Sequence, residues 1–154
     1  MSDKKINLLY VDDEENNLMS FKATFRLKYN VMTALSAVEA MKILEKKPVE
    51  IIITDQRMPN MTGIEFLEKV IEKYPDPIRM LLTGYTDMTA VIDAVNKGKI
   101  YHYLSKPWTE EVLDVAIQKA YEAYCKDQEI KTMNGKLATS NEQLEFLLRQ
   151  SLLS

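Results

Sequence analysis

One cysteine, one histidine and no long apolar run are all that this 154-residue sequence offers toward disulfide, zinc or membrane architecture. Cys125, standing alone, can form neither an intrachain disulfide nor a thiolate-based metal site, and its isolation suits a reducing cytoplasm. His102 has no second histidine with which to share a metal ion. No stretch approaches the roughly 20 apolar residues that a membrane-spanning helix needs. Met1-Ser2-Asp3-Lys4-Lys5 leads into a short apolar run with no signal-peptide core, so a cytoplasmic chain without a membrane partner is expected. Positive charge is also in short supply, with 20 Lys and Arg against 23 Asp and Glu and a net charge of -3. That balance lacks the electrostatic footprint of a chain that grips nucleic acid through its phosphates, and no direct nucleic-acid binding is expected.

What is present is a globular composition, 46% hydrophobic and 28% charged, enough for one domain with room for an extra element. Residues 6–11, 30–34, 49–55, 78–83 and 100–105 form short runs rich in Ile, Val, Leu and Tyr. They have strand length, and four are near-continuously apolar, as strands covered on both faces are. Between them, apolar residues recur at helical spacing: Leu18, Phe21 and Phe25; Ala37, Ala40, Met41 and Leu44; Ile64, Leu67, Val70, Ile71 and Tyr74; Met88, Val91, Ile92 and Val95. Ser36 with Glu39 reads as a capping box, Gly98 as a helix stop, and Pro75 and Pro77 as the end of another helix. Strict alternation of strand and helix predicts an α/β domain with a parallel sheet, right-handed crossovers and helices on both faces. In such sheets chemistry sits at the carboxyl ends of the strands.

Those ends carry Asp12-Asp13, then Asp55, then Thr83-Gly84, then Ser105-Lys106-Pro107. Carboxylates brought together repel and raise one another's pKa, so the cluster needs a positive charge to stay ionised. A hard divalent cation such as Mg²⁺, which takes carboxylate, water and phosphate oxygens, suits it. An aspartate can itself accept a phosphoryl group. Transfer of that kind relies on positioning and charge neutralisation, which a metal at Asp13, the Thr83 hydroxyl and the Lys106 ammonium could provide.

With these residues in place, residues 5–122 resemble the receiver domains of two-component response regulators. Asp12-Asp13 resembles the family's acidic pair, Asp55 before Gln56-Arg57-Met58-Pro59 its phosphoacceptor, and Met61-Thr62-Gly63 the segment that follows. Thr83, Tyr103 and Lys106-Pro107 match its switch hydroxyl, switch aromatic and lysine. The resemblance implies a flavodoxin-like, doubly wound (βα)5 fold with a five-stranded parallel sheet in the order 2-1-3-4-5. It implies Asp55, Thr83 and Lys106 as the catalytic set and Thr83 with Tyr103 as the switch. It also implies a Mg²⁺ site of Asp13, Asp55 and the Arg57 carbonyl, with Asp12 acting mainly through water, and a cis peptide between Lys106 and Pro107. Arg57 and Tyr85 depart from the commonest small members of the family. Both are expected to overhang the site and slow hydrolysis of an aspartyl phosphate.

Several residues have plainer readings. Tyr103 could be an ordinary core tyrosine with its hydroxyl at the surface. His102 alternates away from Tyr103 and is assigned no chemistry, Trp108 reads as a packing or partner-facing aromatic, and Cys125 as an inert helix residue. Met58 and Met61 are explained as packing or flexible surface.

The last helix of the domain is expected to begin near Thr109 and finish near Tyr124, giving a receiver over residues 1–124 and a helical, coiled-coil extension over 125–154. Ile130, Met133, Leu137, Leu144 and Leu147 follow a heptad-like pattern. Asn134-Gly135 favours a turn, and Ser140 with Gln143 reads as a fresh capping box, so two helices with a joint are expected there. The ending Leu-Leu-Arg-Gln-Ser-Leu-Leu-Ser suggests the N-terminal piece of a longer regulator, linked to an output domain.

By the resemblance, the chain is a phosphorelay module and not an enzyme on outside substrates; it catalyses only its own phosphorylation and dephosphorylation. Its partners would be a sensor histidine kinase or phosphotransfer protein, with homodimerisation through the C-terminal helix or the face of the fourth helix, fifth strand and fifth helix. A Mg²⁺-dependent phosphatase acting on metabolites is disfavoured, since no Asp-x-Asp follows the first strand and no cap segment is inserted. The remaining alternative is a phosphorylation-independent dimerisation module with a vestigial acidic site. Residues 83–108 also resemble receivers joined to cyclic-dinucleotide modules.

Overall fold

The computed structural model describes residues 5–84 and 88–153. Its strands are β1 (Asn7–Val11), β2 (Asn30–Ala34), β3 (Ile51–Asp55), β4 (Ile78–Thr83) and β5 (His102–Ser105). They alternate with α1 (Glu15–Phe25), α2 (Ala37–Lys46), α3 (Gly63–Lys73), α4 (Met88–Asn96) and α5 (Glu110–Leu153). All neighbouring strands pair in parallel, in the order β2-β1-β3-β4-β5, which is the expected α/β fold. Three strands are shorter than the apolar runs that announced them, β1 by the single residue Ile6, which is buried. Val49 lies before β3 and Ile100 before β5, and both are nevertheless buried.

The continuous apolar runs are explained by the sheet's two covered faces. On one, Leu8, Tyr10, Ile51, Ile53, Met80 and Leu82 pack with Leu18, Phe21 and Phe25 of α1 and with Leu113, Ile117 and Ala120 of α5. On the other, Leu9, Val11, Ile52 and Leu81 meet Ala40 and Leu44 of α2, Leu67 and Val70 of α3, and Val91 and Ala94 of α4. Period-two alternation sends successive residues to opposite faces, so both must be apolar.

Helix boundaries follow local chemistry. The Glu39 N–H donates to Ser36 Oγ, but the Glu39 carboxylate accepts from the Leu35 N–H and not from Ser36, so only half of the expected capping box forms there. A full box forms instead at Thr62 and Glu65, opening α3. At the end of α4, Gly98 takes a positive φ of 75° while its N–H donates to Val95 O and that of Lys99 to Ala94 O. This is a Schellman stop, for which glycine has the freedom. Arg79, at the start of β4, fastens the same corner. Its guanidinium donates to the carbonyls of Lys99 (3.0 Å), Gly98 (3.4 Å), Pro77 (3.0 Å) and Pro75 (3.3 Å).

The structure corrects the expectation for the C-terminal region. α5 is one helix from Glu110 to Leu153, capped by Thr109, whose Oγ1 accepts from the Val112 N–H at 3.3 Å. It neither ends near Tyr124 nor breaks at Asn134-Gly135, and no new helix starts at Ser140. One internal glycine costs about 1 kcal/mol, while Lys136, Leu137, Ala138 and the Glu and Gln residues beyond favour helix. The chain comprises two compact units, Met1–Tyr124 and Cys125–Ser154. In the second, Ile130, Met133, Leu144, Phe146, Leu147 and Leu148 are exposed, as is Cys125.

Candidate functional site

β1 and β3 lie side by side in the centre of the sheet, so the residues at or just past their carboxyl ends converge. Oxygen atoms of Asp12, Asp13 and Asp55 lie within 4.8 Å of one another. Asp12 is 0% and Asp55 6% exposed, whereas Asp13 is open to solvent. Lys106, just past β5, places Nζ 2.5 Å from Asp55 Oδ1. Burial pushes the Asp55 carboxyl above its ordinary range; Lys106 pulls it down, while Asp12 and Asp13 push it up again, and the net shift is upward.

Asp12 is held from three directions. Tyr10 donates its hydroxyl to Oδ2 at 2.7 Å, Asn17 donates Nδ2–H to the same oxygen at 3.1 Å, and the Glu14 N–H donates to Oδ1 at 3.0 Å. Burial, reinforced by the bond to Asp12, raises the Tyr10 phenol well above its ordinary value and keeps it a proton donor. Neither Tyr10 nor Asn17 was singled out from sequence. The signal was available for Tyr10, because residues two apart on a strand point the same way.

The loop after Asp55 is equally constrained. Buried Gln56 accepts from the Ile64 N–H at 3.0 Å through Oε1, and its carbonyl accepts from the Gly63 N–H at 3.0 Å. A Cβ at Gly63 would lie 2.3 Å from the Asp55 carbonyl oxygen, so only glycine lets α3 start this close to the acceptor strand. Asn60 has a positive φ of 73°, which a short amide side chain tolerates. Arg57 is exposed on this loop, and Met58 and Met61 pack against the α2–α4 side of the core. Tyr85, expected to overhang the site with Arg57, lies outside the described residues.

Thr83 ends β4, one position beyond Leu82, the register partner of Asp55. It is buried, and its hydroxyl donates to the Gly84 carbonyl at 3.0 Å. Tyr103 is half-buried against the α2–α4 side of the core, and His102 on the same strand is exposed. The Lys106-Pro107 peptide is cis. Trp108 packs edge-on to Phe21 at 5.9 Å and tilted against Phe25 at 5.8 Å, a packing role. Three acidic side chains and Lys106 are thus gathered at one point, with Thr83 on the adjacent strand end and Tyr103 on the next.

A parallel β2-β1-β3-β4-β5 sheet with this cluster at its carboxyl edge defines a class, and the chain belongs to it: it is a response regulator receiver domain, the family that matches residues 8–118. Among curated relatives, the hydrogenase transcriptional regulatory protein HoxA of Cupriavidus necator is 38% identical over 154 residues, covering 100% of this chain and 32% of that protein. The transcriptional regulatory protein GlrR of Escherichia coli is 30% identical over 124 residues, 79% of this chain and 28% of that protein. The chain therefore spans under a third of the length of these relatives. Of solved structures, an adenylate cyclase from Rhodopirellula baltica superposes with a TM-score of 0.81 at 29% identity, covering 84% of this chain and 96% of that one. A CheY-like receiver domain protein from Methanospirillum hungatei gives 0.74 at 27% identity, covering 80% and 98%. Among the described residues, no helix is long and apolar enough to cross a membrane.

Proposed function

We propose that residues 1–124 accept a phosphoryl group on Asp55 from a sensor histidine kinase or phosphotransfer protein, in a Mg²⁺-dependent step that switches the α4-β5-α5 surface. The observation that carries this reading is the buried Asp55 carboxylate at the end of the central strand, with the Lys106 ammonium at 2.5 Å and two further carboxylates beside it. The donor set is all oxygen, which fits a hard divalent cation. Asp13, Asp55 and the Arg57 carbonyl would hold Mg²⁺ directly. Asp12, already accepting three hydrogen bonds, would act through water. When bound, Mg²⁺ supplies charge neutralisation for the phosphoryl oxygens.

An Asp55 oxygen forms the new O–P bond as the donor's N–P bond breaks, and the freed imidazole nitrogen takes up a proton. Lys106, an ammonium within reach of Asp55, neutralises charge on the incoming group. The Thr83 hydroxyl, now bonded to Gly84, turns to a phosphoryl oxygen, and Tyr103 moves into the space this leaves. The chain does chemistry only on itself.

Residues 125–154 are proposed as a linker, and the names of the curated relatives make transcriptional control the output this receiver would serve. Such control would act through a partner or further domain, because the net charge of -3 favours no direct grip on nucleic acid.

Intact-mass measurement after incubation with acetyl phosphate and Mg²⁺ tests the reading. Wild type should gain one phosphoryl group, EDTA should abolish the gain, and Asp55→Asn should show none. An adduct that survives in Asp55→Asn, or the lack of one in wild type, would overturn the assignment.

A further inference from the structure

Tyr10 sits in the middle of β1, 1% exposed, with its ring stacked on Phe21 at a centroid distance of 4.2 Å and an angle of 18°. Phenylalanine would fill this space equally well. A buried hydroxyl is costly unless it is bonded, and this one donates to Asp12 Oδ2 at 2.7 Å. Asn17 reaches the same oxygen from the first turn of α1, and the Glu14 N–H occupies the other. A carboxylate offers about four lone-pair directions, so most of the accepting capacity of Asp12 is already committed. The three donors also spread part of its negative charge within a cluster that must coexist with Asp13 and Asp55.

We propose that Tyr10, assisted by Asn17, is a positioning residue of the divalent-cation site: its hydroxyl holds Asp12 Oδ2 out of direct coordination and stabilises the acidic cluster in the metal-free state. The proposal rests on the reading of Asp12, Asp13 and Asp55 as that site. A cation arriving there competes with the two side-chain donors for the charge of Asp12. The hydroxyl therefore weakens cation binding and strengthens the empty protein, setting an intermediate affinity that lets the metal exchange. Removing the donor should move the two properties in opposite directions, which loss of packing cannot do.

The test is calorimetric titration of the full chain with Mg²⁺, together with thermal melts in EDTA and in saturating Mg²⁺, for wild type, Tyr10→Phe and Asn17→Ala. Tyr10→Phe keeps the ring on Phe21. It should bind Mg²⁺ about three- to tenfold more tightly, reflecting lost competition at Asp12. It should also melt lower in EDTA and gain more from Mg²⁺ than wild type does. Asn17→Ala, on a partly exposed helix position, should shift in the same direction by less, and carries the test if Tyr10→Phe does not fold. Unchanged or weaker binding in the variants, with normal binding by wild type, overturns the role of Tyr10 and leaves the cation site standing. No binding by wild type overturns both.

Discussion

Asp55 is a residue whose most useful property is also a defect. Its carboxyl is buried beside two others, and its pKa is raised above 3.8 by desolvation first, with Asp12 and Asp13 adding to a shift that Lys106 only partly offsets. A carboxyl raised in the native state binds more protons there than in the unfolded chain, so stability falls as pH climbs from 3.8 through the native pKa. Metal-free Asp55→Asn should therefore melt at a higher temperature than wild type at neutral pH, with the advantage shrinking as pH is lowered through the range where Asp55 protonates. Thermal melts in EDTA across that range check both the sign and the trend. The residue types of this cluster could be picked from sequence because each falls at a strand end. Tyr10 is harder to pick, because a tyrosine inside an apolar run reads as core, and its one signal is the register with Asp12, two residues on. The support that Gln56 gives to the Ile64 and Gly63 amides was hidden for a different reason: it depends on a loop conformation that no periodicity reports.

At the scale of elements, the strands and first four helices were legible because burial on both sheet faces leaves a strong apolar trace, and because caps at Ser36 and Gly98 follow local chemistry. α5 departs from the expected two helices because the turn preference of Asn134-Gly135 is worth too little to break it. Helix formation is cooperative, and a pair of weak residues inside a long run of strong helix formers seldom repays the cost of a second nucleus. Gly135 has nothing within 4 Å of the position a Cβ would take, so Gly135→Ala should stabilise this part of α5 by about 1 kcal/mol. Circular dichroism at 222 nm on heating the full chain would register it as a higher-melting helical fraction; a lower-melting one would mean that the glycine serves a turn after all.

For the whole molecule, the question is what covers the exposed apolar residues of the second unit. Ile130, Met133, Leu144 and Leu147, with Leu137 between them, fit the a and d positions of a heptad, and Gly135 then falls at f, facing away from the seam. A second copy of the chain is the proposed occupant. Wild type should sediment as a dimer at micromolar concentration, and Leu144→Lys with Leu147→Lys should shift it toward monomer without loss of the Asp55 adduct. A monomeric wild type would set the idea aside. The fastening of α4 by Arg79 bears on how a signal leaves the receiver unit. That helix is riveted at its C-terminal corner through the Gly98 and Lys99 carbonyls, while its first residue, Met88, stands about 13 Å away at 1.5 Å per residue. If phosphorylation shifts α4, as the proposed switch requires, this anchor would limit sliding at the C-terminal corner. The stroke would then be smallest at the rivet and grow toward Met88, and a partner reading it would gain most leverage by gripping the end nearest Thr83.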